Sequence, residues 1–171
     1  MGERFKKAIG VEGKFVDTVW PMIQYCFANI YLGGGGYIIS MYFTVFLTNV
    51  VGMDLQHATF IIMIATVWDG INDPLMGIIT DRTRSKYGRH RRYLLWSIPP
   101  LVIAYTMLWN SFGLDAKEHP TVCVMYYAFA YILYKTAYTM VDVPHTAMLP
   151  TLAPEYNKRT QYTSVSYIFN S

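Results

Sequence analysis

The chain has 171 residues, 53% of them apolar and 16% aromatic, and a formal net charge of +3. The apolar share is only slightly above the usual ~45–50%, but the charges are gathered between long apolar stretches, which excludes an ordinary soluble domain. Cys26 and Cys123 both lie inside such stretches, without metal-ligand or redox spacing, and read as packing residues.

The first 14 residues are polar and charged, with no short apolar core ahead of a small-residue cleavage site, so no cleavable signal peptide is expected there. Residues 20–47 contain no Asp, Glu, Lys or Arg and exceed the ~20 residues a membrane helix needs. This first span carries the run YLGGGGYI, Gly33 to Gly36. A glycine inside a helix costs about 1 kcal/mol relative to alanine. The run therefore reads either as close packing against a neighbouring helix or as an unwound segment lining a cavity. The second span, 57–80, carries two charges, Asp69 and Asp73. The third, 93–112, carries none and is expected to kink at Pro99 and Pro100. The fourth, 121–149, holds Lys135, Asp142 and His145 and is expected to kink at Pro144. A fifth apolar stretch runs from 161 to 171. Trp20, Trp96, Trp109 and many tyrosines fall near span ends, the pattern of an aromatic belt.

Basic residues set the orientation. Arg4, Lys6, Lys7 and Lys14 precede the first span; Arg82, Arg84, Lys86, Arg89, Arg91 and Arg92 lie between the second and third; Lys158 and Arg159 precede the fifth. The other two loops hold only Lys117. The positive-inside rule then places the N-terminus in the cytoplasm of a cell, plasma or bacterial inner membrane. Because spans pin the basic loop on both sides, no nucleic-acid partner is expected.

Carboxylates inside a bilayer cost roughly 2.5–3.5 kcal/mol each on insertion scales and need a reason. Asp69 and Asp73 are one helical turn apart and share a face. Counted from the cytoplasmic span ends, Asp73 and Asp142 lie at equal depth, about 10 Å in at 1.5 Å per residue. If the second and fourth spans are neighbours, three carboxylates converge, and they stay ionised only beside protons, a metal cation or a basic side chain. Asn72 and Thr139 add oxygens of the kind hard cations take. An alternative for Asp73 alone is that Asp73-Pro74 restarts a helix as N-cap and first residue. Lys135 is too central to snorkel easily; it reads as an ion-pair partner for an aspartate or as a grip on a polar substrate. With Tyr138, Thr139, Asp142 and Thr146 it forms a polar-aromatic stripe that suits a hydroxyl-rich ligand, or packs a helix through buried hydrogen bonds. His145 reads as structural.

Two segments, WDGINDPLMGIITDRTRSKYGRHRRYLL and YTMVDVPHTAMLPTLAPEYNKRTQ, resemble the glycoside–pentoside–hexuronide:cation symporters, the melibiose-permease-like branch of the major facilitator superfamily. The resemblance covers the second span to the start of the fifth; TNVVGM after the first also fits. It implies an all-α integral membrane protein, here the N-terminal part of a twelve-helix major-facilitator fold, with 1–171 a partial N-terminal six-helix domain. It implies a sodium, lithium or proton site at Asp69, Asn72, Asp73, Thr139 and Asp142, where Asp69, Asp73 and Asp142 would be the metal ligands if the ion is sodium. Gly77, Asp81, Arg82, Arg84, Gly88 and Arg89 look like the superfamily's cytoplasmic gating motif. Substrate contacts are implied at Tyr138 and Asp142, to which the stripe adds Lys135 and Thr146. The family's first-span acidic residue falls at Gly33, its stacking tryptophan at Thr146 and its fifth-span arginine near Ser166, so galactoside specificity of the melibiose kind does not carry over.

The expectation is thus a cation-coupled symporter for a sugar or glycoside, working by alternating access and completed by a C-terminal half beyond Ser171. No catalytic residue and no cofactor is expected, with Na+ or H+ as coupling ion. The rivals are a carrier of lysolipids or other amphiphiles and a small non-transporting membrane scaffold.

Overall fold

The computed structural model describes residues 23, 25–83, 91–113, 116, 119–153 and 155–170. These residues form helices and short connections, with no strand among them. Tyr25–Asn49 is one unbroken helical stretch, π-helical over Ile30–Gly35 and α-helical over Gly36–Asn49 (α1). Four helices follow: α2 (Leu55–Arg82), α3 (Arg91–Trp109), α4 (Pro120–Leu152) and α5 (Tyr156–Asn170). A helix thus lies over each of the five apolar stretches. Pro74, Pro99, Pro100 and Pro144 all fall inside helices, and none ends one. Asp73 is therefore no N-cap: α2 runs straight through Asp73 and Pro74, and the helix-restart reading fails.

Two of the helical stretches, Tyr25–Asn49 and Leu55–Arg82, are long and apolar enough to cross a membrane. Only 22% and 17% of their apolar windows are buried, unlike the core helix of a soluble protein. Among the described residues no window of α3 or α4 is as uniformly apolar, because prolines, tyrosines and, in α4, Lys135, Asp142 and His145 fall within them. Membrane spans there rest on pattern more than on hydropathy.

The chain forms two compact units, one joining the described residues up to Tyr37 with those from Met148 onward, the other spanning Ile38–Ala147. In the larger unit α1 passes to α2 by a tight reversal. The N–H groups of Val51 and Met53 bond back to the carbonyls of Phe46 and Leu47, at 3.1 and 2.9 Å. Gly52, at φ 73°, supplies the left-handed step that a side chain would resist. The core centres on Phe43, whose ring lies 4.7 Å from that of Tyr131 and 6.4 Å from that of Tyr127. Around it Ala58, Ala65, Ala104 and Ala130 are fully buried; such small side chains let helix backbones approach closely, the main source of helix association where lipid competes with apolar contacts. Tyr127, Tyr131 and Tyr134 are buried here in mid-helix, so a good share of the tyrosines serves the core and not a belt. The Tyr126 hydroxyl donates to the carbonyls of Met107 and Asn110, closing the end of α3.

In the smaller unit the π-helical turn packs against α5. Asn29 Nδ2 donates to Ser166 Oγ at 3.1 Å, and Ser166 Oγ lies 3.4 Å from Cys26 Sγ. The glycine run is thus neither a plain α-helical packing stripe nor an open coil but a wider winding, a form that is rare and favoured at functional positions. A Cβ on Gly35 would come within 3.3 Å of the Tyr31 ring, whereas one on Gly34 would meet nothing within 4 Å.

Candidate ion and substrate site

The inward seam of α2 is set by spacing. Ala58, Ile61, Ala65, Met76 and Thr80 are buried, and steps of three and four residues place Asp69 and Asn72 on the same seam. The opposite face exposes Phe60, Met63, Val67, Ile71, Leu75 and Ile78, as lipid or a further protein layer would require. The two aspartates of α2 therefore differ. Asp69 is partly buried on the seam, whereas Asp73 stands at its exposed margin.

Polar contacts join α2 to α4. Trp68 Nε1 donates to Thr136 Oγ1 at 2.9 Å. Lys135 Nζ donates to Asp69 Oδ2 at 2.8 Å. Thr139 Oγ1, fully buried, donates to Asp73 Oδ1 at 2.9 Å. A step of four on α2, from 69 to 73, matches a step of four on α4, from 135 to 139, so the two helices lie side by side and run parallel. Strict alternation of crossings makes the second and fourth spans of any such chain parallel, which is what this contact pattern needs.

The same register fixes Asp142. It is three residues beyond Thr139 and so level with Met76, about 4.5 Å further along the axis than Asp73. Equal depth, inferred by counting from the span ends, is not what the contacts give. Among the described residues no three His, Cys, Asp or Glu side chains gather closely enough to hold one metal ion. Asp69 is held by Lys135, Asp73 by Thr139, and Asp142 lies a turn away. Asp142 is half-buried, and His145, Asp73 and Asp69 are its electrostatic neighbours. His145, buried one turn on, is thus an electrostatic neighbour of the site, which its solitary place in the sequence did not suggest.

Further oxygen is on offer along α2. Pro74 has no N–H, so the carbonyl of Gly70, one turn earlier, loses its helical partner. The Nδ2 atom of Asn72 is buried and finds no hydrogen-bond partner among the described residues. Leaving such a donor unmade costs about 1–3 kcal/mol; turning the amide over would put its carbonyl oxygen at the same point, where a cation would satisfy it. Carboxylate, hydroxyl, amide and backbone oxygens make the donor set of a hard cation and not of a soft metal.

The other residues singled out from the sequence are scattered. Tyr138 sets its ring 5.9 Å from that of Tyr134, tilted by 41°, against the core, and Thr146 is exposed two turns further along α4. Gly77, Asp81 and Arg82 form the last turns of α2, with Asp81 and Arg82 exposed. Arg84, Gly88 and Arg89 lie outside the described residues, as do Trp20 and Lys117. Trp68 and Thr136 were missed. The available signal was an indole in the middle of a span, which needs a partner for its N–H when little water is near.

Apolar helices joined by a polar seam suit a membrane transporter. The match to the family described as MFS/sugar transport protein extends over residues 25–171, and the chain belongs to that family. Its members are transporters, not enzymes. The chain is 34% identical over 135 residues, 78% of its length, to an uncharacterized symporter of Synechocystis, sll1374. It is 32% identical over 116 residues, 67% of its length, to the candidate glycoside/cation symporter YagG of Escherichia coli. It is 28% identical over 159 residues, 90% of its length, to the sodium-dependent lysophosphatidylcholine symporter 1-A of Danio rerio. These matches cover 25%, 24% and 28% of the relatives, so the chain spans about a quarter of their length.

Proposed function

We propose that the chain is the N-terminal part of a cation-coupled symporter in a cell membrane, with a cytoplasmic N-terminus and with its solute site completed by a C-terminal half. The observation that carries this is the polar ladder between α2 and α4, where Asp69 and Asp73 meet Lys135 and Thr139 in otherwise apolar helices. Asp73, Thr139 and Asn72, with Asp69 and Asp142 on either side, are the candidate ligands for sodium, lithium or a proton. Arrival of a cation would neutralise these carboxylates and draw the neighbouring turns of α2 and α4 together. The solute then binds along the stripe of Lys135, Tyr138, Asp142 and Thr146, and the two halves rock between inward-facing and outward-facing states. Coupling arises if the ion raises solute affinity, an effect that linkage makes reciprocal. The end of α2, with Gly77, Asp81 and Arg82 leading to Arg84, Gly88 and Arg89, would latch one of these states through charge pairs.

A sugar or glycoside is the first solute class, in line with the family description and the glycoside/cation relative. A lysophospholipid is the second, favoured by the relative of that specificity, which matches 90% of the chain. Hydrophilic glycosides compete for uptake in the first case and have no effect in the second. With the full-length protein in vesicles, at the ion concentration that half-saturates the wild type, Asp69→Asn and Asp73→Asn should lose most uphill, ion-driven uptake while leaving some downhill exchange. Unchanged ion dependence in both variants would remove the proposed site.

A further inference from the structure

Lys135 is a cation built into the site, and the following inference rests on the ion-site reading above. It stands midway along α4, bonded to Asp69, with the two side chains only 23% and 27% exposed. An ammonium at such a position is costly to keep unless it is paired. An ion entering between α2 and α4 would seek the carboxylate oxygens nearest the seam, and those of Asp69 are already paired with the Lys135 ammonium. We propose that Lys135 is a tethered cation that holds the Asp69 position and thereby sets how tightly the coupling ion binds beside it, at Asp73, Thr139 and Asn72.

The surroundings fit that role. The groups facing the ammonium are Asp69 and, one turn on, Asp73 from α2, with Tyr131 one turn away on α4 itself; Asp142 and His145 lie further along α4. Asp69 and Lys135 cancel, so an arriving ion meets the charge of Asp73 and, at a distance, of Asp142. Its affinity is lower than three free carboxylates would give. The pairing also changes what loss of Asp69 means. Without its partner the ammonium, on a flexible four-carbon stem, swings one turn to Asp73 and takes the ion's own ligand. Asp69 then matters as the restraint on Lys135 more than as a ligand.

The test is a sodium titration of the full-length protein in nanodiscs, with 22Na+ binding read directly and choline as the control cation. Lys135→Met should bind sodium at least about tenfold more tightly than the wild type, and Lys135→Arg, which keeps the charge, within about threefold of it. Asp69→Asn should bind at least about tenfold more weakly, and the double variant Asp69→Asn/Lys135→Met should return to within about threefold of the wild type. Monodispersity by gel filtration screens each variant for folding. Unchanged or weaker binding in Lys135→Met, or a double variant as weak as Asp69→Asn, overturns the proposal. The ion site itself is tested separately by Asp73→Asn: a sodium affinity within twofold of the wild type rejects the site, whereas weakening beyond fivefold together with an absent Lys135 effect rejects only the tethered cation.

Discussion

Replacing Asp73 by asparagine isolates the charge of the proposed ion site. The amide oxygen of asparagine accepts the bond that Thr139 Oγ1 now gives Asp73 Oδ1 at 2.9 Å, so the contact between α2 and α4 persists. What disappears is one unit of negative charge. A cation about 4 Å from a carboxylate gains roughly 4 kcal/mol at an effective dielectric constant of 20. Asp73 stands at the exposed margin of the seam, where screening cuts that figure to about 1–3 kcal/mol, or roughly 5- to 150-fold in ion affinity. In proteoliposomes holding the full-length protein, the ion concentration for half-maximal uptake should rise by that factor. Solute counterflow at equal ion on both sides should fall much less. A half-maximal concentration within twofold of the wild type would refute the assignment of Asp73.

Other perturbations test the surrounding fold. Trp68→Phe removes the indole donor to Thr136 and should cost about 0.5–1.5 kcal/mol, seen as a drop of a few degrees at most in thermal unfolding with ion dependence retained; a collapse of ion dependence would contradict the reading of this contact as a brace. Gly34→Ala meets no neighbour and should be neutral or stabilising by up to about 1 kcal/mol, whereas Gly35→Ala must push the Tyr31 ring aside and should be the less stable of the two by thermal unfolding. Cys26 and Cys123, both fully buried, should resist N-ethylmaleimide in the folded protein and react after denaturation, as peptide mass spectrometry would show. Ser166→Ala, which loses its contacts to Asn29 and Cys26, should weaken the packing of α5 by about 0.6 kcal/mol, the usual worth of an interhelical hydrogen bond in a membrane; faster modification of Cys26 is the expected sign.

Much of the arrangement was legible because apolar stretches of span length leave few choices. Helices cover all five, and the step of four between Asp69 and Asp73 already placed both where a neighbouring helix could reach them. That Lys135 needed a carboxylate partner was also readable, since an ammonium so far from either span end has few other outlets. The depth of Asp142 was not. Counting from span ends assumes that the ends are level, whereas the Thr139–Asp73 contact sets the register and moves Asp142 a turn along. Nor could four glycines say which winding they would take, because a permissive backbone fits packing, uncoiling and a π-helical turn alike. The tyrosines of α4 were ambiguous for a related reason. An amphipathic ring suits a membrane interface and a packed aromatic core equally, and only the position of Phe43 across from Tyr131 decides between them.

The central claim is that an ion gradient drives a solute through the protein to which this chain belongs. The direct measurement is accumulation of a labelled glycoside, and separately of a labelled lysophospholipid, by proteoliposomes of the full-length protein under an imposed sodium or proton gradient. One of them should accumulate above its outside concentration, an accumulation lost when an ionophore dissipates the gradient and largely lost in Asp73→Asn at the ion concentration that half-saturates the wild type. Uptake that only equilibrates, at a rate indifferent to either gradient, would contradict it.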